Sequence, residues 1–258
     1  MINKTILGTE VFSDRNKFKT KNSVKDLINY YIDYGIRKID TAVSYGQFNH
    51  EIEKILGDIG LSNKIEIHTK FKIDKGIKQI EKDFFQSLRS IKRDFIDVAY
   101  FHSVTNNDFM DREILNFFNK QREKGYIKLL GLSFKHEYVH NQNYLQLNHK
   151  NFNYFDIVQT VLNIYSRESL RYLIPKCKKM KKNVIARIIL AKGILTDEYS
   201  SYKDLKRKNK IDELSKKILN YKIENQFSAK DALRFSYSNS DYCVVAFSKK
   251  DQIKLLNL

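Results

Sequence analysis

Four polar residues stand at or just beyond the ends of short apolar runs and have the types that a proton relay needs. They are Asp40 with Tyr45 after the run Ile36–Thr41, Lys70 at the end of Ile65–Phe71, and His102 at the end of Phe95–His102. Each alone has an ordinary structural reading: an Asp after a strand commonly serves a turn or cap, and a lone His there is commonly satisfied by its neighbours. Lys70 is less ordinary, because a lysine drawn into His68-Thr69-Lys70-Phe71 needs a carboxylate partner. Together the four make chemical sense. Tyrosine, with a pKa of ~10, is a poor acid or base near neutrality, and an adjacent ammonium lowers that value by stabilising the phenolate. Asp40 would hold Lys70 charged and oriented, while His102 would donate a hydrogen bond to a carbonyl oxygen beside the Tyr45 hydroxyl. Such a site suits carbonyl reduction and lacks only a hydride donor.

Positioning four groups this way requires strands that end at one mouth. Eight apolar runs rich in Ile, Val and Phe recur along the chain: Thr5–Phe12, Ile36–Thr41, Ile65–Phe71, Phe95–His102, Ile127–Phe134, Phe155–Leu162, Val184–Leu190 and Tyr242–Phe247. Such runs suit buried parallel strands. Between them lie stretches with helical spacing. Val24, Leu27, Ile28, Tyr31 and Ile32 make one stripe; Ile52, Ile55, Leu56 and Ile59 make another, opened by Asn49 as N-cap and stopped by Gly60. Further helices are expected at 77–93, 110–124, 136–147, 167–181, 211–219, 228–239 and 250–257. Eight alternating units predict an α/β fold, a (β/α)8 TIM barrel with functional groups at the C-terminal ends of its strands. An open doubly wound sheet is the runner-up, weakened by the absence of a G-x-G-x-x-G turn after the first run. The last helix is short, and the connection 191–241 is long enough for a loop and an extra helix.

The 258 residues are 42% hydrophobic, 30% charged and 13% aromatic, an ordinary globular balance that fits a single domain over 1–258. No apolar run approaches the ~18 residues that span a bilayer. The N-terminus carries no secretory pattern, and Cys177 and Cys243 read as reduced thiols of a cytoplasmic protein, with no disulfide framework and no metal site. The net charge of +17 invites a nucleic-acid reading. Yet the lysines are spread along the chain, and the densest runs, 176–182 and 203–210, read better as solvated helix faces or loops. A positive field would still draw in an anionic small molecule.

The segment Asp40-Thr41-Ala42-Val43-Ser44-Tyr45-Gly46 resembles the D-T-A-x-x-Y-G signature of the aldo-keto reductase family. Glu51-Ile52-Glu53-Lys54-Ile55-Leu56-Gly57 is similar to that family's E-x-x-L-G stretch, and Thr69-Lys70 and Tyr100-Phe101-His102 match its next two segments. The resemblance covers about Gly8 to Gln252 and implies a catalytic tetrad of Asp40, Tyr45, Lys70 and His102. It also implies the donor: NADPH, with NADH as the other candidate, bound across the barrel mouth without a Rossmann domain. Gly131-Leu132-Ser133-Phe134 resembles G-x-S-N-F, with Phe134 where the family carries Asn, and Gln159 and Asn163 resemble the family's Q-x-x-Y-N. Ser133 and Gln159 are thereby expected at the nicotinamide carboxamide.

Arg187 stands where an aromatic residue often stacks on the nicotinamide, and its planar guanidinium can also lie over a ring. Backbone amides around Leu190, Lys192 and Gly193 are expected to cradle the pyrophosphate. In a stretch resembling V-V-G-M-S-S-P-E-Q, with Ala246 replacing a glycine, Ser248 and Lys249 are expected at the adenosine 2′-phosphate and Gln252 among the cofactor-binding residues. The implied protein reduces a small carbonyl compound to an alcohol by hydride transfer, with Tyr45 as proton donor. No nucleic-acid or membrane partner is expected, and the oligomeric state is left open. A chain with only six residues after Gln252 lacks the family's C-terminal substrate loop, which predicts an open pocket and sugar-like substrates. The alternative is a catalytically silent barrel that binds the dinucleotide as a regulatory or scaffold subunit, favoured by Phe134, Arg187 and Ala246.

Overall fold

The computed structural model describes residues 1–14, 16–105, 111–135, 150–207 and 212–257. Eight strands, β1 (Thr5–Gly8), β2 (Lys38–Asp40), β3 (Glu66–Lys72), β4 (Ile96–Val104), β5 (Ile127–Phe134), β6 (Ile157–Val161), β7 (Asn183–Arg187) and β8 (Tyr242–Val245), follow one another around a closed barrel. Every pairing is parallel, and β8 closes on β1 through Thr5 with Cys243 and Ile6 with Val244. The barrel prediction holds. Ile6, Val98, Tyr100, Ile157 and Ile185 pack its interior, and a larger apolar layer joins strands to helices. With no Trp in the chain, phenylalanines fill that layer: Phe101 meets Phe118 and Phe155, each with ring centroids 5.1 Å apart.

The helices are α1 (Lys21–Asp33), α2 (Glu51–Ile59), α3 (Ile77–Ile91), α4 (Arg112–Glu123), α5 (Leu173–Lys179), α6 (Tyr202–Arg207), α7 (Glu213–Glu224) and α8 (Ala229–Asn239). The stripe read from Val24 to Ile32 is the buried face of α1, capped by Thr20, whose side chain accepts from Ser23 N at 3.2 Å. Gly57 of α2 has no room for a side chain, since a Cβ there would lie 2.1 Å from Ser90 O on α3. Gly60 stops α2 in the left-handed region, as expected (φ 71°).

Several expectations need correction. The N-cap of α2 is His50, in the left-handed region (φ 66°) and without a side-chain cap bond, rather than Asn49. The first run yields a strand only to Gly8. Phe12 N then turns back onto Thr9 O at 3.0 Å, and Phe12 packs edge-on against Phe18. Helix α5 begins at Leu173, not near 167, because Pro175 fits only the first turn of a helix. The stretch 250–256 is a 3₁₀ helix, and the expected helix over 136–147 lies outside the described residues. The long connection after β7 carries α6 and α7 ahead of α8, around a satellite core that includes Ile194, Leu195, Leu205, Leu219 and Ala232. Lys203 and Lys206 of the second basic run face solvent on α6; Lys182 of the first is buried and donates to Phe155 O.

Candidate active site

The register of β2, β3 and β4 brings the predicted residues to one end of the barrel. Asp40 is the last residue of β2, and the loop after it carries Tyr45. That loop is tied down along its length: Val43 N donates to Lys70 O (3.2 Å), His50 N to Val43 O (2.7 Å) and Gly46 N to Ser13 Oγ (2.8 Å). Lys70, on β3, is 1% exposed and directs Nζ to three acceptors: Asp40 Oδ1 at 2.5 Å, Thr41 O at 2.7 Å and Tyr45 Oη at 3.3 Å. An ammonium has three donors, and all are used. The carboxylate partner that a lysine in an apolar run needs is therefore Asp40. Its other oxygen accepts from Gln159 Nε2 at 2.8 Å, and Gln159 Oε1 accepts from Ser133 Oγ at 2.9 Å. Ser133, Gln159, Asp40, Lys70 and Tyr45 thus form one chain of hydrogen bonds across four strands. His102 faces Tyr45 edge-on, with ring centroids 6.2 Å apart, and its Nδ1 is buried without a partner among the described residues.

Burial dominates the electrostatics. It pushes the Tyr45 phenol well above its usual value, assisted by Asp40 and Glu10 and opposed by Arg187. This reverses the expectation of a lowered tyrosine: Asp40 neutralises Lys70, so the ammonium adds little net field at the phenol. Burial likewise lowers Lys70, with Asp40 pulling the other way. His102 is pushed down to about 3 by burial first, then by Lys70, Arg187 and Lys72. It is neutral at pH 7 and keeps one N–H to donate.

Behind this network lies a buried hub that the sequence reading missed. Glu53 of α2, 0% exposed, accepts from Thr69 Oγ1 (2.6 Å) and Ser87 Oγ (3.0 Å) and meets His50 Nδ1 at 2.6 Å. It joins the strand carrying Lys70 to α3 and to the residue that ends the Tyr45 loop. The available signal was an acid beside the apolar stripe of α2.

The residues expected to hold a cofactor fare unevenly. Ser133 and Gln159 are buried beside Asp40, as described. Phe134 turns its ring into the core, and its carbonyl accepts from Arg187 Nη2 at 2.6 Å. After β7 the chain leaves the strand through Ile188, which has φ 57°, and passes Ala191 (46°), Lys192 (55°) and Gly193 (97°) in the same left-handed region. A β-branched residue there is an outlier. The amides of Ala191 and Gly193, expected to cradle a pyrophosphate, are spent on Ile188 O (2.9 Å) and Leu190 O (2.8 Å) within the turn. At the start of the 3₁₀ helix, Gln252 Oε1 accepts from Ser248 N (2.8 Å) and Lys249 N (3.2 Å). The Gln252 side chain therefore occupies the two amides that an anion would use.

Cys177 and Cys243 are buried free thiols, each pushed up to about 12 by burial. Among the described residues, no helix is long and apolar enough to cross a membrane.

Comparison with known proteins bears on the fold and the family. Over 196 residues the chain is 25% identical to the "Uncharacterized oxidoreductase YqkF" of Bacillus subtilis (strain 168), covering 69% of this chain and 59% of that protein, so it spans less than two thirds of that relative's length. Its fold is similar to that of the glycerol dehydrogenase AKR11B4 from Gluconobacter oxydans, with a TM-score of 0.74 at 21% identity over 99% of this chain and 85% of the other. The aldo/keto reductase family model matches residues 4–254, nearly the whole barrel, and the chain belongs to that family.

Proposed function

We propose that this oxidoreductase reduces an aldehyde or ketone to the alcohol, with NADPH as hydride source and Tyr45 as proton donor. The observation that carries this reading is the complete use of the Lys70 ammonium. With its oxygen accepting from Lys70, Tyr45 keeps its own proton for an oxygen that approaches from the barrel mouth. At neutral pH the phenol holds its proton, and release of that proton to the substrate oxygen relies on the Lys70 ammonium to offset the upward push of burial. Once the proton has moved, Lys70 stabilises the phenolate at 3.3 Å, while Asp40 holds the ammonium in place. Neutral His102 donates its single N–H to the carbonyl oxygen and fixes its direction.

A reduced nicotinamide dinucleotide, when bound, supplies hydride to the carbonyl carbon. The residues present fit such a group: Gln159 retains a second Nε2 hydrogen beyond its bond to Asp40, and Ser133 retains lone pairs, so both have capacity for a carboxamide. With the Ala191 and Gly193 amides spent, the charge of Lys192 would hold the pyrophosphate. Ser248 and Lys249 would take the adenosine end, with Gln252 yielding its two amides to the phosphate. Exposed Glu10, Ser44 and Lys72 around the mouth favour polar, sugar-like carbonyl compounds over long aliphatic ones. The protein is read as cytoplasmic.

The test is NADPH oxidation, followed at its absorbance band, with a panel of aldehydes, ketones and keto-sugars. Turnover with members of the panel is expected. Tight NADPH binding without turnover of any member would instead establish the scaffold reading.

A further inference from the structure

Half-buried arginines elsewhere in the fold have found partners. Arg93 pairs with Asp97 at 3.3 Å and donates to the carbonyls of Ile65, Leu61 and Ser62; Arg122 pairs with Asp156 at 3.3 Å. Arg187 has not. Its guanidinium spans from the end of β7 to the end of β5, where Nη2 donates to the neutral Phe134 O. Its Nε is buried without a partner, and no carboxylate lies within 4.0 Å of its nitrogens among the described residues. Glu10 and Asp40 act on it only from farther away, and Glu10 is exposed to water. A half-buried guanidinium whose Nε is shut off from water without a partner, and whose one protein acceptor is a neutral carbonyl, is costly unless something else offsets it.

The charges around it sharpen the point. Asp40 neutralises Lys70, and His102 is uncharged at neutral pH, which leaves Arg187 and exposed Lys72 as positive groups on this side of the mouth. Arg187 is also near enough to influence both Tyr45 and His102, the two groups that would flank the carbonyl oxygen.

We infer that Arg187 is a specificity residue that binds an anionic oxygen group carried next to the reacting carbonyl, so that the preferred substrates are short oxo-carboxylates or similarly anionic carbonyl compounds. The inference rests on the proposed reduction and names its substrate class. An anion at Arg187 has two sources, a substrate carboxylate or a phosphate of the dinucleotide, and the inference assigns the site to the substrate.

The test has a binding arm and a kinetic arm, each with wild type, Arg187→Lys and Arg187→Gln. Calorimetry with oxamate, an unreactive carboxylate, measures the anion site with and without NADPH, and fluorescence titration measures NADPH itself. A charge-assisted hydrogen bond of ~2 kcal/mol corresponds to about thirtyfold, so Arg187→Gln should lose oxamate affinity by tenfold or more, with a smaller loss for NADPH, and Arg187→Lys should recover part of it. In the kinetic arm, kcat/KM for glyoxylate relative to glycolaldehyde should exceed one in wild type and fall by a similar factor in Arg187→Gln. Failure of oxamate to bind wild type overturns the inference. So does an equal loss for oxamate and NADPH, or an unchanged glyoxylate preference. If oxamate binding depends on Arg187 but neither carbonyl is turned over, the anion site stands and the reductase reading falls.

Discussion

The two sides of the barrel mouth are built differently. On the β2–β4 side every donor of Lys70 is matched, Asp40 uses both oxygens, and the loop carrying Tyr45 is bonded at several points. On the β7–β8 side the backbone passes through Ile188, Ala191 and Lys192 in left-handed conformations, Arg187 lacks an acid partner, and Gln252 covers the amides of Ser248 and Lys249. The bonded Asp40–Lys70–Tyr45 network suits groups that must be in place before the reaction, while His102 beside it keeps a buried Nδ1 without a partner among the described residues. Strained backbone and undersatisfied donors suit a surface whose partners arrive with the ligands. On the proposed function, proton chemistry belongs to the first side and ligand recognition to the second, and the contrast can be tested on both.

The strongest attack is Lys70→Met. It removes the ammonium from Tyr45 and leaves the buried Asp40 carboxylate without its ion pair, so two readouts should move. The reduction rate should fall by roughly 10²–10⁴, as for loss of a positioned proton relay. Stability should fall by ~3–5 kcal/mol, the usual cost of breaking a buried pair, with NADPH affinity changing far less. Urea unfolding and steady-state kinetics on one preparation check both. Intact kinetics in a folded variant would disconnect Lys70 from the chemistry.

His102 makes a prediction about pH. Its folded value of about 3 lies below the ordinary histidine value of 6.5, so between these values the unfolded chain holds a proton that the folded chain does not. Stability then rises with pH in that window, and the contribution is complete above about 6.5. His102→Gln should flatten the acid side of the stability profile by at most ~1.4 kcal/mol per pH unit, with little change at pH 8. Parallel profiles for the two proteins would show that His102 titrates in the fold as it does in the unfolded chain, near 6.5.

The smallest expected effect probes the β8 end. Lys249→Glu should weaken NADPH binding about tenfold or more while affecting NADH less, because only NADPH carries the additional phosphate. Equal losses for the two nucleotides would remove Lys249 from the specificity site.

The sequence made one side of this contrast legible and the other only partly so. Asp40, Lys70 and His102 sit at the ends of β-rich runs, and Tyr45 follows five residues after the first. A fixed strand register carries such spacing directly into geometry. The barrel was legible for the same reason. The turn after β7 was not, because its left-handed residues are non-glycine and nothing in Ile188-Ile189-Leu190-Ala191-Lys192 announces φ above zero. The occupation of two amides by Gln252 depends on a side-chain rotamer and leaves no local pattern, whereas the Glu53 hub depends on three elements meeting in space, of which the sequence shows only the acid beside the apolar stripe of α2. The direction of the Tyr45 shift was not legible because burial, which raises the phenol most, depends on how the loop after β2 packs, and Asp40 adds to it.

The most direct test of the account is Tyr45→Phe, which removes one oxygen from the Asp40–Lys70–Tyr45 network and nothing else. Single-turnover oxidation of bound NADPH by saturating carbonyl substrate, measured with NADPH affinity on the same sample, separates chemistry from binding. The account predicts a rate lowered by ~10²–10⁴ with cofactor affinity nearly unchanged. A variant that retains most of the wild-type rate would contradict the assignment of Tyr45 as proton donor and, with it, the functional meaning of the Asp40–Lys70–Tyr45 network.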